Sequence, residues 1–185
     1  ILILCSKNIQ LGWKKTIYSP SKKSNQCTGD AFVNSEVKTS REINKLIKQY
    51  YEIMAYQSFS NFVDRKQTEY IRSLPDEDRK EGKTKWIKEY FSDRLLIIDE
   101  AHNIRDDQGK SMRDAVKTIE DVIKHSDNLR LLLLTATPMY NRASEIAWML
   151  NMMLLNDNKI PLDIQVLFNK QGELTKEGKR ILQEK

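Results

Sequence analysis

Three short apolar runs limit what this chain can become. Ile1–Cys5 (ILILC), Arg94–Asp99 (RLLIID) and Leu129–Thr135 (LRLLLLT) are of strand length, and none alternates apolar with polar residues. A strand with one wet face alternates; an uninterrupted run marks a strand covered on both faces, as in a parallel sheet. Between the runs, apolar residues recur at helical spacing. Examples are Ile9, Trp13 and Ile17 within Lys7–Tyr18, then Ile43, Leu46, Ile47 and Tyr50, then Met112, Val116, Ile119 and Ile123. Strands alternating with amphipathic helices predict an α/β fold, a parallel sheet with helices on both faces.

Local signals divide the chain further. Thr39-Ser40-Arg41-Glu42 has capping-box spacing, in which two side chains satisfy the first free amides of a helix. Ser111-Met112-Arg113-Asp114 has a similar capping pattern, and Asn141 can cap a helix with Ala143, Ala147, Leu150 and Leu154 on one side. Glu52–Ser58 reads as a short strand and Phe59–Tyr70 as a helix. Pro20–Asp30, closing at Thr28-Gly29-Asp30, reads as a loop. Pro75–Lys85, dense in charge and carrying Gly82, reads as an exposed insertion.

Composition narrows the class. With 185 residues, 39% hydrophobic and 31% charged, the chain suits one globular core rather than a disordered or fibrous protein. No apolar run nears the ~20 residues of a membrane helix. Ile1–Leu4 lacks the basic flank and cleavage site of a secretory signal. Cys5 and Cys27 lack CxxC spacing, which points to reduced thiols in an intracellular protein. A net charge of +5 and a pI near 9.1 favour a polyanionic partner, although Lys and Glu alternate along the helices. The chain opens with Ile1 inside an apolar run, and Lys179–Lys185 stops within a helical pattern. Both ends lead us to expect cuts through a longer polypeptide.

The chemistry gathers at two strand ends. In Leu95–Asn103, LLIIDEAHN, an apolar strand delivers Asp99 and Glu100 to its carboxyl end, where open α/β sheets bind ligands. Hydrolysis of a nucleoside triphosphate needs one carboxylate to hold hydrated Mg²⁺ and a second group to orient water. Adjacent residues just past a strand can point apart and divide those tasks. The other site is Thr135-Ala136-Thr137-Pro138, where two hydroxyls leave the next strand and can bond a neighbouring loop.

These strings resemble superfamily 2 helicases. IIDEAH looks like their motif II (Walker B, DEAH type) and LLLTATP like motif III. ILILCSKNIQLGWKKTI is similar to the segment around motif Ia, and EIMAYQSF (Glu52–Phe59) resembles the motif Ib strand of Snf2-like members. The longer strings TATPMYNRASEIAWMLNMML and FNKQGELTKEGKRIL look like the helicase-like transcription ATPases of large DNA viruses. That group includes the poxvirus early transcription factor large subunit and nucleoside triphosphate phosphohydrolase.

The resemblance implies a RecA-like fold, truncated before the strand of the phosphate-binding loop. Residues 1–160 would be part of the first ATP-binding domain, motifs Ia to III, and 161–185 the start of the inter-domain segment. It implies ATP and Mg²⁺ as cofactors. Asp99 would hold Mg²⁺ through water, Glu100 would polarise the attacking water, and His102 would link the nucleotide site to motif III or the second motor domain. Thr135, Ala136 and Thr137 would couple hydrolysis to movement on nucleic acid. Ser6, Lys7 and Asn8 after the first strand, with Gln57 and Ser58 after the Ib strand, would touch the nucleic-acid backbone. Implied partners are nucleic acid (DNA over RNA), a second RecA-like domain in the same polypeptide, and RNA polymerase or transcription-factor subunits. The implied location is host cytoplasm or virion.

One part of the pattern is missing. The 185 residues contain no G-x-x-x-x-G-K-[ST], so nothing in them cradles the β- and γ-phosphates. The expectation is a chain that does not hydrolyse ATP by itself. Its Leu131–Leu134 strand is expected to show an unpaired apolar edge, a hazard for aggregation. Two other classes stay open. A RecA-like interaction module without catalysis fits the missing loop, but intact Asp99, Glu100 and His102 weigh against it. A restriction-type or primase-associated translocase fits the motif II-to-III layout, but FNKQGELTKEGKRIL weighs against it. A DEAH-type RNA helicase fits as well as a DNA motor on motif II alone.

Overall fold

The computed structural model describes residues 1–20, 32, 35, 37–104, 110–138, 144–169 and 171–183. The expected loop Pro20–Asp30 beyond Pro20, together with Cys27, Asn141 and Ala143, lies outside them.

Four parallel strands form one sheet in the order β2-β1-β3-β4, with β1 Leu2–Leu4, β2 Glu52–Met54, β3 Leu95–Asp99 and β4 Arg130–Leu134. Uninterrupted apolar sequence gives two buried faces. Leu2, Leu4, Leu96 and Ile98 point into one core, and Ile3, Cys5 and Ile97 into the other. Side chains alternate across a strand, so a run with no polar member must be covered twice. The chain is therefore an α/β protein with a parallel sheet covered on both faces, as its strand pattern predicts, and this agrees with the RecA-like form that the resemblance implies.

The first face is covered by α3 (Tyr56–Ser73), α4 (Gly82–Phe91), α5 (Lys110–His125) and α6 (Ser144–Asn156). The second is covered by α1 (Gln10–Ile17) and α2 (Ser40–Tyr50), through Ile17 and Ile47. Helix α2 starts on the expected capping box. Thr39 Oγ1 accepts the Glu42 amide at 3.3 Å, and Glu42 Oε2 accepts the Thr39 amide at 3.0 Å. On α5, Val116, Ile119 and Ile123 are buried and Met112 packs beside them, as their spacing predicts.

Several sequence readings need correction. The strand expected over Glu52–Ser58 stops at Met54, because Tyr56, Phe59, Ser60 and Val63 bury a helical stripe that begins α3 early. Lys7–Ile9 is a 3₁₀ turn ahead of α1 rather than part of one α-helix. Pro75–Lys85 is only partly an exposed insertion. Asp76–Asp78 forms a 3₁₀ turn, and Gly82 opens α4, buried where a Cβ would meet Ile71 and Leu74 side chains at 2.9 Å. Ser111 lies inside α5 rather than capping it, and its hydroxyl donates to Gln57 Oε1. On α6, Ala147 is buried but Leu150 is 44% exposed, whereas Met149 and Met152 are in the core. That helix is apolar on most sides, so spacing alone does not choose its inner face.

Strand β4 pairs with β3, and no other strand pairs with it among the described residues. Its Leu132 is 42% exposed. The apolar edge expected at Leu131–Leu134 is thus present.

Beyond α6, Asn151 ties down the following segment. Its side chain donates to Leu162 O at 2.8 Å and accepts the Leu162 amide at 2.7 Å. Helices α7 (Ile164–Leu167) and α8 (Lys176–Gln183) then pack so closely that a Cβ on Gly178 would strike the Leu167 backbone. Gly to Ala in a helix ordinarily stabilises by about 1 kcal/mol. Here Gly178→Ala is expected to do the reverse, by about 1–3 kcal/mol, because rigid backbone cannot give way. Limited proteolysis checks this, with faster cleavage after residue 160 in the variant.

Candidate functional site

The carboxyl ends of β1 and β3, with the turns that follow β3 and β4, form one cluster. The register pairs Asp99 with Leu134, so Asp99 ends β3 beside the residue that precedes Thr135. Glu100 follows at φ 55° and ψ 48°, the left-handed region, and starts a 3₁₀ turn over Ala101–Asn103. The other described non-glycine residues with positive φ are Asp93, Asn128 and Asn158, types that tolerate it. Glu100 has no such excuse. The conformation costs of order 1 kcal/mol, and the Glu100 carboxylate lies beside His102 while that of Asp99 lies on Trp13. Buried Ala101 and Ile104, both 0% exposed, and an Asn103 amide bond to Glu100 O at 2.8 Å hold the turn.

His102 joins the two turns. Its Nδ1 lies 2.9 Å from Thr135 Oγ1 and 3.2 Å from Glu100 Oε2. A carboxylate can only accept, so a proton on Nδ1 suits both neighbours. The Thr137 amide donates to the same Thr135 Oγ1 at 3.2 Å, which fixes the start of the second turn. Ala136, Thr137 and Pro138 are exposed.

Two residues beyond the expected set grip Asp99. The Trp13 indole N–H on α1 donates to Asp99 Oδ2 at 2.7 Å, and the Tyr56 hydroxyl at the start of α3 donates to Asp99 O. Burial raises the Tyr56 phenol well above its ordinary range, with the Cys5, Asp99 and Glu100 charges adding to it. In the sequence, Trp13 reads as packing between Ile9 and Ile17, and Tyr56 as a strand residue. Neither spacing encodes a reach of 86 or 43 residues along the chain.

The backbone-contact candidates divide. Ser6 precedes the 3₁₀ turn in extended conformation and makes no side-chain cap bond, while Lys7 and Asn8 are exposed. Gln57 and Ser58 lie in the first turn of α3 rather than in a loop after a strand. The Gln57 side chain is engaged, donating to Asn61 Oδ1 at 3.0 Å and accepting from Ser111. Ser58 is exposed, and Ala55 gives α3 no side-chain cap.

Residues 1–140 match the protein family described as the type III restriction enzyme, res subunit. The chain belongs to this family. Its sequence is also similar to two proteins of Acanthamoeba polyphaga mimivirus, each named "Putative ATP-dependent RNA helicase", at 34% identity over 149 residues and 29% over 110. A "Putative helicase" of Frog virus 3 (isolate Goorha) is 27% identical over 138 residues. These alignments cover 68%, 60% and 74% of the chain but 12%, 15% and 13% of those proteins. Together they place this Res-family chain among superfamily 2 helicase-like proteins. The matched family carries the restriction-type name that the sequence reading weighed against, and its match ends ahead of Phe168–Leu182.

Donor chemistry at the cluster suits Mg²⁺. Magnesium keeps most of its water and takes one or two protein carboxylates plus substrate phosphate oxygens, rather than an all-protein cage. Asp99 Oδ2 is taken by Trp13, and Oδ1 has no partner among the described residues. Among the described residues, no group of three or more His, Cys, Asp or Glu could cage a metal on its own. No described helix is long and apolar enough to cross a membrane.

Next to the cluster, Cys5 of this Res-family domain is a free thiol, 0% exposed. Burial, and then the Asp99 charge, push its pKa from the ordinary 9.0 up to about 11. The folded value exceeds the unfolded one, so its stabilising contribution is complete below pH 9.0 and is lost as pH climbs through about 11. At pH 8 iodoacetamide is expected to modify Cys5 far more slowly in the folded chain than in urea. Peptide mass spectrometry reads the difference; equal rates would mean that this thiol is open to solvent.

Proposed function

We propose that this chain carries the water-activating and magnesium-holding part of the nucleoside-triphosphate site of a nucleic-acid motor. The observation that carries the reading is the split of two adjacent carboxylates at the end of β3. Asp99 faces Trp13, and the left-handed Glu100 turns toward His102 and motif III. Asp99 would hold hydrated Mg²⁺, which when bound screens the phosphate oxygens and polarises the bond to be cut. Glu100 accepts a proton from, and orients, the attacking water. His102, bonded to Thr135, reports the state of that site to the motif III turn. Thr135, Ala136 and Thr137 carry the signal onward to nucleic acid.

Backbone contact falls to Ser6, Lys7 and Asn8, and to Ser58 with the free amides that open α3. The Gln57 side chain is committed elsewhere, so Gln57 contributes through its main chain. The phosphate-cradling loop and a second RecA-like domain come from other parts of the polypeptide, in keeping with matches that cover only 12%, 15% and 13% of those relatives. Residues 161–185 lead toward that second domain. The DEAH assignment follows from IIDEAH, the Snf2-like one from Glu52–Phe59, and the viral-transcription one, with polymerase or transcription-factor partners, from the strings around Thr135 and Phe168. The last two favour DNA, whereas the mimivirus relatives bear RNA helicase names.

The test extends the polypeptide upstream and downstream to the length of its relatives. Phosphate release from ATP and Mg²⁺ is measured with no nucleic acid, with DNA and with RNA. Stimulation by either nucleic acid supports the motor, and the stronger one names its track. No hydrolysis under any condition points instead to a RecA-like module that binds without catalysis.

A further inference from the structure

We propose that Trp13 and Tyr56 form a two-point clamp on Asp99 that carries nucleic-acid contact to the magnesium-holding carboxylate. The inference rests on the motor reading above and assigns positioning roles to two residues outside its motifs. The two donors reach Asp99 from opposite faces of the sheet. Trp13, on α1 over the second face, bonds the carboxylate at 2.7 Å. Tyr56, within the core of the first face, bonds the main-chain carbonyl of the same residue. Side chain and backbone of Asp99 are thus fixed independently.

Each donor is also wired to a candidate contact with nucleic acid. Ser6, Lys7 and Asn8 run through a 3₁₀ turn straight into α1, which carries Trp13. Tyr56 is the first residue of α3, and Gln57 and Ser58 are the next two. Displacement of either segment by a bound backbone therefore moves a donor on Asp99.

Packing alone does not account for these bonds. Phe would fill either place with similar apolar surface, yet both polar atoms are directed at one residue. A 2.7 Å contact from an indole to a carboxylate is at the short, charge-assisted end of the range. With Oδ2 held, Oδ1 is the oxygen that would take a hydrated metal. Partners of this kind set the orientation of a ligating carboxylate and tune metal affinity.

The first test needs no activity. In the chain labelled with ¹⁵N-tryptophan, the Trp13 indole N–H is expected to exchange slowly with solvent and to lose that protection in Asp99→Ala. Equal exchange in both proteins overturns the clamp. The second test uses the extended polypeptide and compares Trp13→Phe and Tyr56→Phe with Trp86→Phe, a core indole stacked on Tyr90 away from the site. Trp13→Phe is expected to raise the Mg²⁺ concentration for half-maximal hydrolysis about tenfold. Both clamp variants are expected to cut the ratio of nucleic-acid-stimulated to basal turnover about tenfold. Trp86→Phe should move neither quantity, whatever it does to stability.

Hydrolysis in the wild type with unchanged Mg²⁺ dependence and stimulation in Trp13→Phe overturns the coupling and leaves the motor standing. A wild type that never hydrolyses removes the motor reading and this inference with it.

Discussion

Glu100→Gln is expected to lower ATP turnover of the extended polypeptide about a thousandfold while leaving nucleotide binding in place. The change keeps the side chain's length and removes its capacity to take a proton, and a positioned general base typically contributes ~10²–10⁴. The left-handed backbone at φ 55° is what makes this substitution informative. Gln inherits the same strained turn, so any loss belongs to the carboxylate and not to a rearranged loop. Glu100→Gly is the complement. It relieves strain of order 1 kcal/mol and incurs a similar entropic cost in the unfolded chain, so its melting temperature should stay within about 3 °C of wild type. Its turnover should fall as far as that of the Gln variant. If turnover in Glu100→Gln stayed within about twofold of wild type, the base would lie elsewhere.

What the sequence could and could not disclose follows from the range of each interaction. Strands β1 and β3 were legible because a doubly buried strand leaves an uninterrupted apolar signature within a few residues, and β4 carries the same signature although Leu132 is left exposed. The α2 capping box was legible for the same reason, since Thr39 and Glu42 are three residues apart. The start of α3 was not. Ile53, Met54, Ala55 and Tyr56 suit a strand as well as a helix entry, and only packing of Phe59 and Val63 against the first-face core decides between them. At the candidate site, Asp99, Glu100, His102 and Thr135 stand out by their place at strand ends. Trp13 and Tyr56 do not, because their bonds to Asp99 require β1 and β2 to be laid beside β3 first. The αL backbone of Glu100 was equally silent, since left-handed turns are usually announced by Gly, Asn or Asp.

Phe59→Ala is expected to be the most damaging of the truncations considered, costing about 3–5 kcal/mol of folding free energy. Phe59 is 0% exposed and meets Phe91 edge-to-face at a centroid distance of 5.7 Å, joining α3 to α4 across the first-face core. Phe91 in turn contacts Trp86 at 5.5 Å and Tyr90 at 4.8 Å, so Phe59 is tied through Phe91 to an aromatic cluster. Close-packed neighbours on rigid helices cannot collapse into the space, and the cavity term adds to the lost transfer energy. Domains of this size have about 5–15 kcal/mol in total, so a large share of the margin disappears. Urea unfolding followed by far-ultraviolet circular dichroism measures it, with a lower midpoint and an unchanged slope. Phe59→Leu, which keeps most of the volume, should cost markedly less. The consequence for the site is direct, because Phe59 lies one helical turn after Tyr56. A loosened α3 withdraws the hydroxyl that holds the Asp99 carbonyl. Loss of Mg²⁺ affinity in Phe59→Ala at temperatures well below its melting point would show that the core and the clamp act as one unit. Full affinity in the folded fraction would confine the role of Phe59 to stability.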